Sequence, residues 1–182
     1  VADAVGTLYC PDGLDVPALL DLRNGYGEID RSRVPSDVQR LPRAAVIATA
    51  ADILVPAAIS YAITADTAAP VAGKVVSEAA NAATTPQAEA VLTGRGIPVV
   101  PDFVANAGAV AWAWWVLLGH VGADPEDSFQ RLRTEMLAKI ALLLGQWMLD
   151  GVTPRHTALD LVAANRRTPA PGDPLAAPLT IP

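Results

Sequence analysis

Apolar residues along this chain fall into short unbroken runs that alternate with helical stripes, the arrangement expected of strands separated by helices. Ile53-Leu54-Val55 is such a run, led by Asp52 and closed by Pro56, and predicts a short central strand bending at its carboxyl end. Lys74 to Glu78 predicts a second strand and Ile97 to Val100 a third. Between those two, Thr85-Pro86 supplies a helix cap and first helical residue, and Gly94 or Gly96 a stop. Strand, helix and strand at this spacing form the crossover unit of a parallel sheet.

Upstream, Asp12-Gly13 predicts a turn, and Asp15 with Pro17 opens a helix running through Leu19, Leu20 and Leu22 to Gly25. Tyr26 to Pro42 is polar, mixed in charge and broken by prolines, and reads as a surface excursion. Ala44 to Ala51 is alanine-rich with little contrast, and Thr64 caps a short turn of helix. Downstream the strands give way to three helical stretches, Val104–Leu118, Pro125–Leu149 and Pro154–Arg166. The second carries Phe129, Leu132, Met136, Ile140, Leu143 and Trp147 at spacings of three and four, an amphipathic stripe. Residues after Thr168 are rich in Pro, Ala and Gly and are expected to form a loose tail.

The pattern predicts an α/β fold, a doubly wound parallel sheet with carboxyl-terminal helices. In such sheets ligands bind at the loops leaving the carboxyl ends of the strands. Two asparagines stand at those loops, Asn81 after VVSEAAN and Asn106 after IPVVPDFVAN. Uncharged amides suit an amide-and-ribose ligand better than a metal.

Composition narrows the picture. A length of 182 residues is ample for one domain, and a net charge of -6 argues against nucleic acid or an anionic membrane as partner. The single Cys10 cannot form an internal disulfide, no Cys/His cluster is spaced for zinc, and a cytoplasmic, metal-free protein is expected. Phe103 to Ala123 lacks Asp, Glu, Lys and Arg, and spanning a membrane takes roughly 20 apolar residues. Asn106, Gly108, Gly119 and Gly122 interrupt it, however, and Trp112, Trp114 and Trp115 lie mid-segment, so a helix buried against the sheet fits better. Val1-Ala2-Asp3 reads as the tail of a strand begun earlier, and the chain is expected to be the carboxyl-terminal part of a longer one.

Several blocks resemble the dehydrogenases that act on glutamate, leucine, phenylalanine or valine. They are GTLYCPDGLDVPALL (6–20), DILVPAA (52–58), SEAANAATTPQAEAVL (77–92), RGIPVVPDFVANAG (95–108) and DGVTPRHTALDLVAANR (150–166). They follow one another in the family's order over nearly all of residues 1–166. The resemblance implies a partial Rossmann-like dinucleotide-binding domain over residues 1–123, carboxyl-terminal helices packed on it over 124–168, and the tail at 169–182. It also implies an NAD-dependent enzyme, with NADP as the alternative cofactor, whose complete form is a homo-oligomer acting on a small amino acid.

The resemblance further implies that the backbone at Ala57 and Ala58 passes close to the dinucleotide, that Asn81 contacts the nicotinamide ribose, and that Asn106 holds the carboxamide or the substrate's polar end. Competing roles are packing for the alanines, a self-bonded turn for Asn81 and an N-cap for Asn106. Asp3 would accept bonds from the adenine ribose hydroxyls, or else cap an ordinary turn. Val110 and Ala113 would line the substrate pocket. Glutamate-specific members usually carry serine at the place of Ala113, whereas LVPAAISYAIT and NAATTPQAEAVL are closer to the glutamate branch. Oxidative deamination of glutamate is therefore expected, with a hydrophobic amino acid, or a truncated polypeptide acting only by association, as alternatives.

The family's Gly-rich loop and its catalytic lysine and aspartate belong to segments outside this sequence, so no catalytic residue is expected here and the chain alone is expected to be inactive. Lys74 and Lys139 read as solvated surface charges, His120 and His156 as structural residues, and Cys10 as uninvolved.

Overall fold

The structure is a computed structural model that describes residues 1–122 and 124–167. The expected tail at 169–182 lies outside the described residues. The elements run β1 (Thr7–Tyr9), α1 (Val16–Asp21), β2 (Gln39–Leu41), α2 (Ala45–Ala48), β3 (Ala51–Leu54), α3 (Ala65–Ala68), β4 (Gly73–Ser77), α4 (Pro86–Gly94), β5 (Val99–Val100), α5 (Asp102–Ala105), α6 (Gly108–Leu117), α7 (Pro125–Asp150) and α8 (Pro154–Arg167).

The parallel sheet follows the sequence pattern. β3, β4 and β5 pair in that order, all parallel, with Leu54 opposite Val76 and Ser77 opposite Val100. Helix α4 makes the crossover between β4 and β5. The Thr85 side chain accepts from the Ala88 N–H, Pro86 opens the first turn, and Gly96 carries the chain out at a φ of 76°. Thr64 likewise caps α3 in a capping box with Thr67. Ile63, Ala68, Val71, Val76, Ala88, Leu92, Ile97 and Val99 form the buried cluster behind this unit. Because all three strands run the same way, the loops after Leu54, Ser77 and Val100 emerge at one edge.

Several expectations are corrected. β3 is the outer strand among the described residues, not a central one, and its Ile53 is 59% exposed because it alternates with Leu54, which faces the buried cluster on the other side of the sheet. The stretch 26–42 is folded: β2 pairs antiparallel with β1, and Ile29, Val34 and Val38 join Leu8 and Leu19 in a second buried cluster. Its apolar residues follow neither a helical nor a strand period, which hid them. Arg40 secures the loop by donating to the Val34 and Val38 carbonyls. Val1 to Asp3 turns back on β1 instead of ending a sheet strand; the Leu8 N–H donates to the Val1 carbonyl at 2.8 Å, and Ala2 bridges antiparallel to Thr7. Helix α1 starts at its Asp15 cap as expected but ends at Asp21, short of Gly25.

The stretch 104–118 is two helices, because the chain breaks at Asn106 and Ala107 between α5 and α6. Helix α6 is not buried against the sheet. It lies on α7, where the Trp112 indole N–H donates to buried Ser128 and Arg131 stacks 4.5 Å from the Trp115 ring centroid, and none of its residues is fully buried. Of the stripe on α7, Leu143 is fully buried, while Phe129 is 68% exposed. Among the described residues no helix is long and apolar enough to cross a membrane.

Candidate functional site

The carboxyl edge of the sheet is stitched by backbone bonds. The Pro56 carbonyl, just past β3, accepts from the Ala79 and Ala80 N–H groups at 3.1 and 2.9 Å. The Tyr61 N–H donates to the Ala82 carbonyl at 2.8 Å. Both Tyr61 and Ala82 are left-handed, with φ of 56° and 48°. Non-glycine residues in that region cost of order 1–3 kcal/mol each and persist only where their surroundings hold them. Here they flank the first asparagine.

The two asparagines meet. Asn106 Nδ2 donates to Asn81 Oδ1 at 2.7 Å and to the Ala79 carbonyl at 3.3 Å. Asn81 is bonded across the loops and not to its own turn. Asn106 is the C-cap of α5, its N–H donating to the Asp102 carbonyl, so the N-cap role is not the one it fills. Among the described residues Asn81 Nδ2 and Asn106 Oδ1 meet no partner, which leaves one amide donor group and one acceptor side by side at an exposed edge. A carboxamide or a ribose diol has the complementary pair. Ala57 and Ala58 are exposed on the adjoining loop after β3, where their methyl groups leave room for a ligand. Val110 and Ala113 are exposed on α6.

Beneath the asparagines lies a charged network that sequence reasoning missed. The Glu78 side chain is wholly buried. Its Oε1 accepts from the Thr84 N–H at 2.6 Å, and its Oε2 from the Asp102 N–H at 3.1 Å and from Arg155 Nη2 at 3.0 Å. Arg155, reaching in from α8, also donates through Nε to Glu89 at 2.6 Å and lies 3.9 Å from Asp102 and over the Phe103 ring. Burial opposes the guanidinium charge, but Glu89 and Glu78 outweigh it and push the pKa further up. The one signal in the sequence was a glutamate at the end of an apolar run, since acidic residues are almost never fully buried without a partner.

Asp3 shows the turn-holding role of its two. Its carboxylate accepts from the Val5 and Gly6 N–H groups and from Arg31 at 2.6 Å on Oδ1, and from the Ile29 N–H on Oδ2. Burial works to raise its pKa, but these bonds prevail and hold it below the usual carboxylate range. A carboxyl whose folded pKa is depressed stabilises the fold above its unfolded pKa, near 3.8, and the gain is lost as pH falls through the lower folded value. Asp3→Asn should therefore lower stability to urea at pH 6, with the gap to wild type closing toward pH 2. A gap independent of pH would show that the charge plays no part.

The remaining polar candidates are elsewhere. Lys74 pairs with Asp52 and Lys139 with Glu135, all at the surface. The His120 carbonyl accepts from Arg131, and exposed His156 sits 3.4 Å from Asp160 on its own helix. Cys10 is free and partly buried.

Comparison with known proteins decides the family. The model for Glutamate/Leucine/Phenylalanine/Valine dehydrogenase matches residues 1–145. This chain belongs to that family. It is 39% identical over 142 residues to the catabolic NAD-specific glutamate dehydrogenase RocG of Bacillus subtilis, covering 76% of this chain and 32% of that protein. It is 42% identical over 118 residues to the NAD-specific glutamate dehydrogenase of Staphylococcus aureus, covering 64% of this chain and 28% of that protein. The NADP-specific glutamate dehydrogenase A1 of Halobacterium salinarum matches at the same identity and shares. The chain thus spans less than a third of the length of these relatives. Among solved structures, the hetero-hexameric glutamate dehydrogenase of Thermus thermophilus in its Leu-bound form superposes with a TM-score of 0.70 at 29% identity, covering 89% of this chain and 38% of that one. The partial Rossmann-like architecture is that of the glutamate dehydrogenase branch of the Glutamate/Leucine/Phenylalanine/Valine dehydrogenases.

Proposed function

We propose that this chain is the dinucleotide-binding part of an NAD(P)-dependent amino-acid dehydrogenase, and that the complete protein catalyses reversible oxidative deamination of L-glutamate to 2-oxoglutarate and ammonia. The observation that carries the reading is the Asn81–Asn106 pair, joined at 2.7 Å on the carboxyl edge of a parallel sheet, in a chain that matches this family over residues 1–145. The dinucleotide, when bound, supplies the hydride acceptor. The chain's own part is to orient it: Asn81 toward the nicotinamide ribose, Asn106 toward the carboxamide or the substrate, with the Ala57-Ala58 backbone beside the phosphates. Asp3 is left out of the set because its carboxylate is tied to Arg31 and three backbone groups of its own turn and loop. NAD is the first choice of cofactor, after the Bacillus and Staphylococcus relatives, and NADP the second, after the Halobacterium one.

Helices α7 and α8 belong to the same domain in this reading, as the packing of α8 on β5 and the bonds from Arg155 to Glu78 support. Val110 and Ala113 form one wall of the substrate pocket. The Ala113 methyl, which offers no hydrogen bond, favours a second reading in which the substrate is leucine, valine or phenylalanine. The complete protein would work in the cytoplasm as a homo-oligomer.

A substrate panel on the complete protein tests the choice: the highest kcat/KM is expected for glutamate, and a preference for leucine, valine or phenylalanine would move the assignment to the second reading. Asn106→Ala removes two donated bonds and the acceptor beside Asn81. It should raise the dissociation constant for NADH about fivefold, read by nucleotide fluorescence, since a net hydrogen bond is worth about 1 kcal/mol. Unchanged affinity would remove Asn106 from the cofactor site.

A further inference from the structure

Neither asparagine is anchored by its own side chain alone; the loops that carry them are held from below. Glu78 Oε1 accepts the Thr84 N–H, within the loop that follows Asn81, and Oε2 accepts the Asp102 N–H, at the start of the helix that ends in Asn106. The Asp102 carboxylate continues the chain of contacts by accepting the Ala82 N–H at 2.8 Å, which pins the left-handed residue next to Asn81. The Asp102 carbonyl accepts the Asn106 N–H. One buried carboxylate therefore sets the spacing between the two loops. A buried carboxylate keeps its charge only if a cation faces it. That cation is Arg155, from a helix lying 77 positions further along the chain. Its fork is divided between Glu78 and Glu89, so it ties β4, α4 and α8 together at the foot of the site.

We infer that Arg155, acting through Glu78, is a positioning residue for the nicotinamide half of the dinucleotide. It touches no ligand; it fixes the relative placement of Asn81 and Asn106. The inference rests on the reading of these asparagines as nicotinamide-side contacts. A displacement of about 1 Å at such a site can cost on the order of a hundredfold.

The test compares two probes on the complete protein, NADH and ADP, which lacks the nicotinamide and its ribose. Arg155→Met should raise the dissociation constant for NADH about tenfold or more while changing that for ADP less than about twofold. Arg155→Lys keeps the charge without the fork and should fall between wild type and Arg155→Met. A merely structural arginine would lower the melting temperature and leave the ratio of the two constants at its wild-type value, and that result would overturn the inference. Should Arg155→Met fail to fold, Glu89→Gln loosens one of the two anchors and is read in the same way: a smaller shift in the same ratio supports the inference, and an unchanged ratio overturns it. Asn81→Ala and Asn106→Ala separate the two levels. If they alter the ratio and the Arg155 variants do not, the positioning role alone fails. If they leave it unaltered, the reading of the asparagines fails and takes the positioning role with it.

Discussion

Replacing Glu78 by leucine is expected to lower unfolding stability by about 3 kcal/mol, although the residue is polar and its replacement is of similar bulk. Leucine removes the acceptor for two backbone N–H groups, those of Thr84 and Asp102. Thr84 is only 4% exposed, so water does not readily take the place of the carboxylate. An unsatisfied buried donor costs about 1–3 kcal/mol. Arg155 loses one of its two short carboxylate contacts but keeps Glu89, and with a side chain 31% exposed it can turn toward solvent, which limits its share of the loss. Removing a buried charge also returns some desolvation energy, so the figure stays below the sum of its parts. Glu78→Gln should cost about half as much, because one amide oxygen still accepts while the amide nitrogen faces a donor. Urea denaturation checks both. A loss under about 1 kcal/mol for leucine would show that the loops do not depend on this carboxylate.

The second large effect is expected at Leu92, in the last turn of the crossover helix α4. Its side chain is fully buried in the cluster with Ile63, Val71, Val76 and Val99, between the helices and the three-stranded sheet. Leu92→Ala should cost about 3 kcal/mol, the transfer term for the lost methyl groups together with the cavity they leave. Two of these neighbours, Val76 and Val99, sit on strands fixed by the ladder, so relaxation is limited. A cost near 1 kcal/mol would mean that the sheet and helix close over the gap. The same variant should leave the ratio of NADH to ADP affinity unchanged, unlike the Arg155 variants, because Leu92 supports the sheet and not the spacing of the asparagine loops.

Local features were legible where they depend on neighbours in sequence. The caps at Asp15, Thr64 and Thr85 and the strand at Gly73–Ser77 are each built from residues a few positions apart, which is why side-chain pattern finds them. The carboxyl edge was legible too, because parallel pairing follows from a strand-helix-strand order. Both asparagines then had to fall on it. The stretch 26–42 was not legible: Ile29, Val34 and Val38 are spaced among charges without a period, and only the folding back of β2 onto β1 buries them. Nor was the exposure of α6. A helix carrying Trp112, Trp114 and Trp115 reads as buried, yet its partner among the described residues is α7 on one side alone.

The sequence by itself determined the α/β alternation, the positions of Asn81 and Asn106 in the segments that follow strands, and the family, whose model matches residues 1–145. Those properties are carried by short-range order and by motifs that stand in sequence. Only the tertiary structure decided what the charged residues do. It tied Asp3 to Arg31 and a turn, and buried Glu78 against Arg155 from a distant helix. A carboxylate's role depends on which donors reach it and how much water is excluded around it, and both are set by segments far apart in the chain.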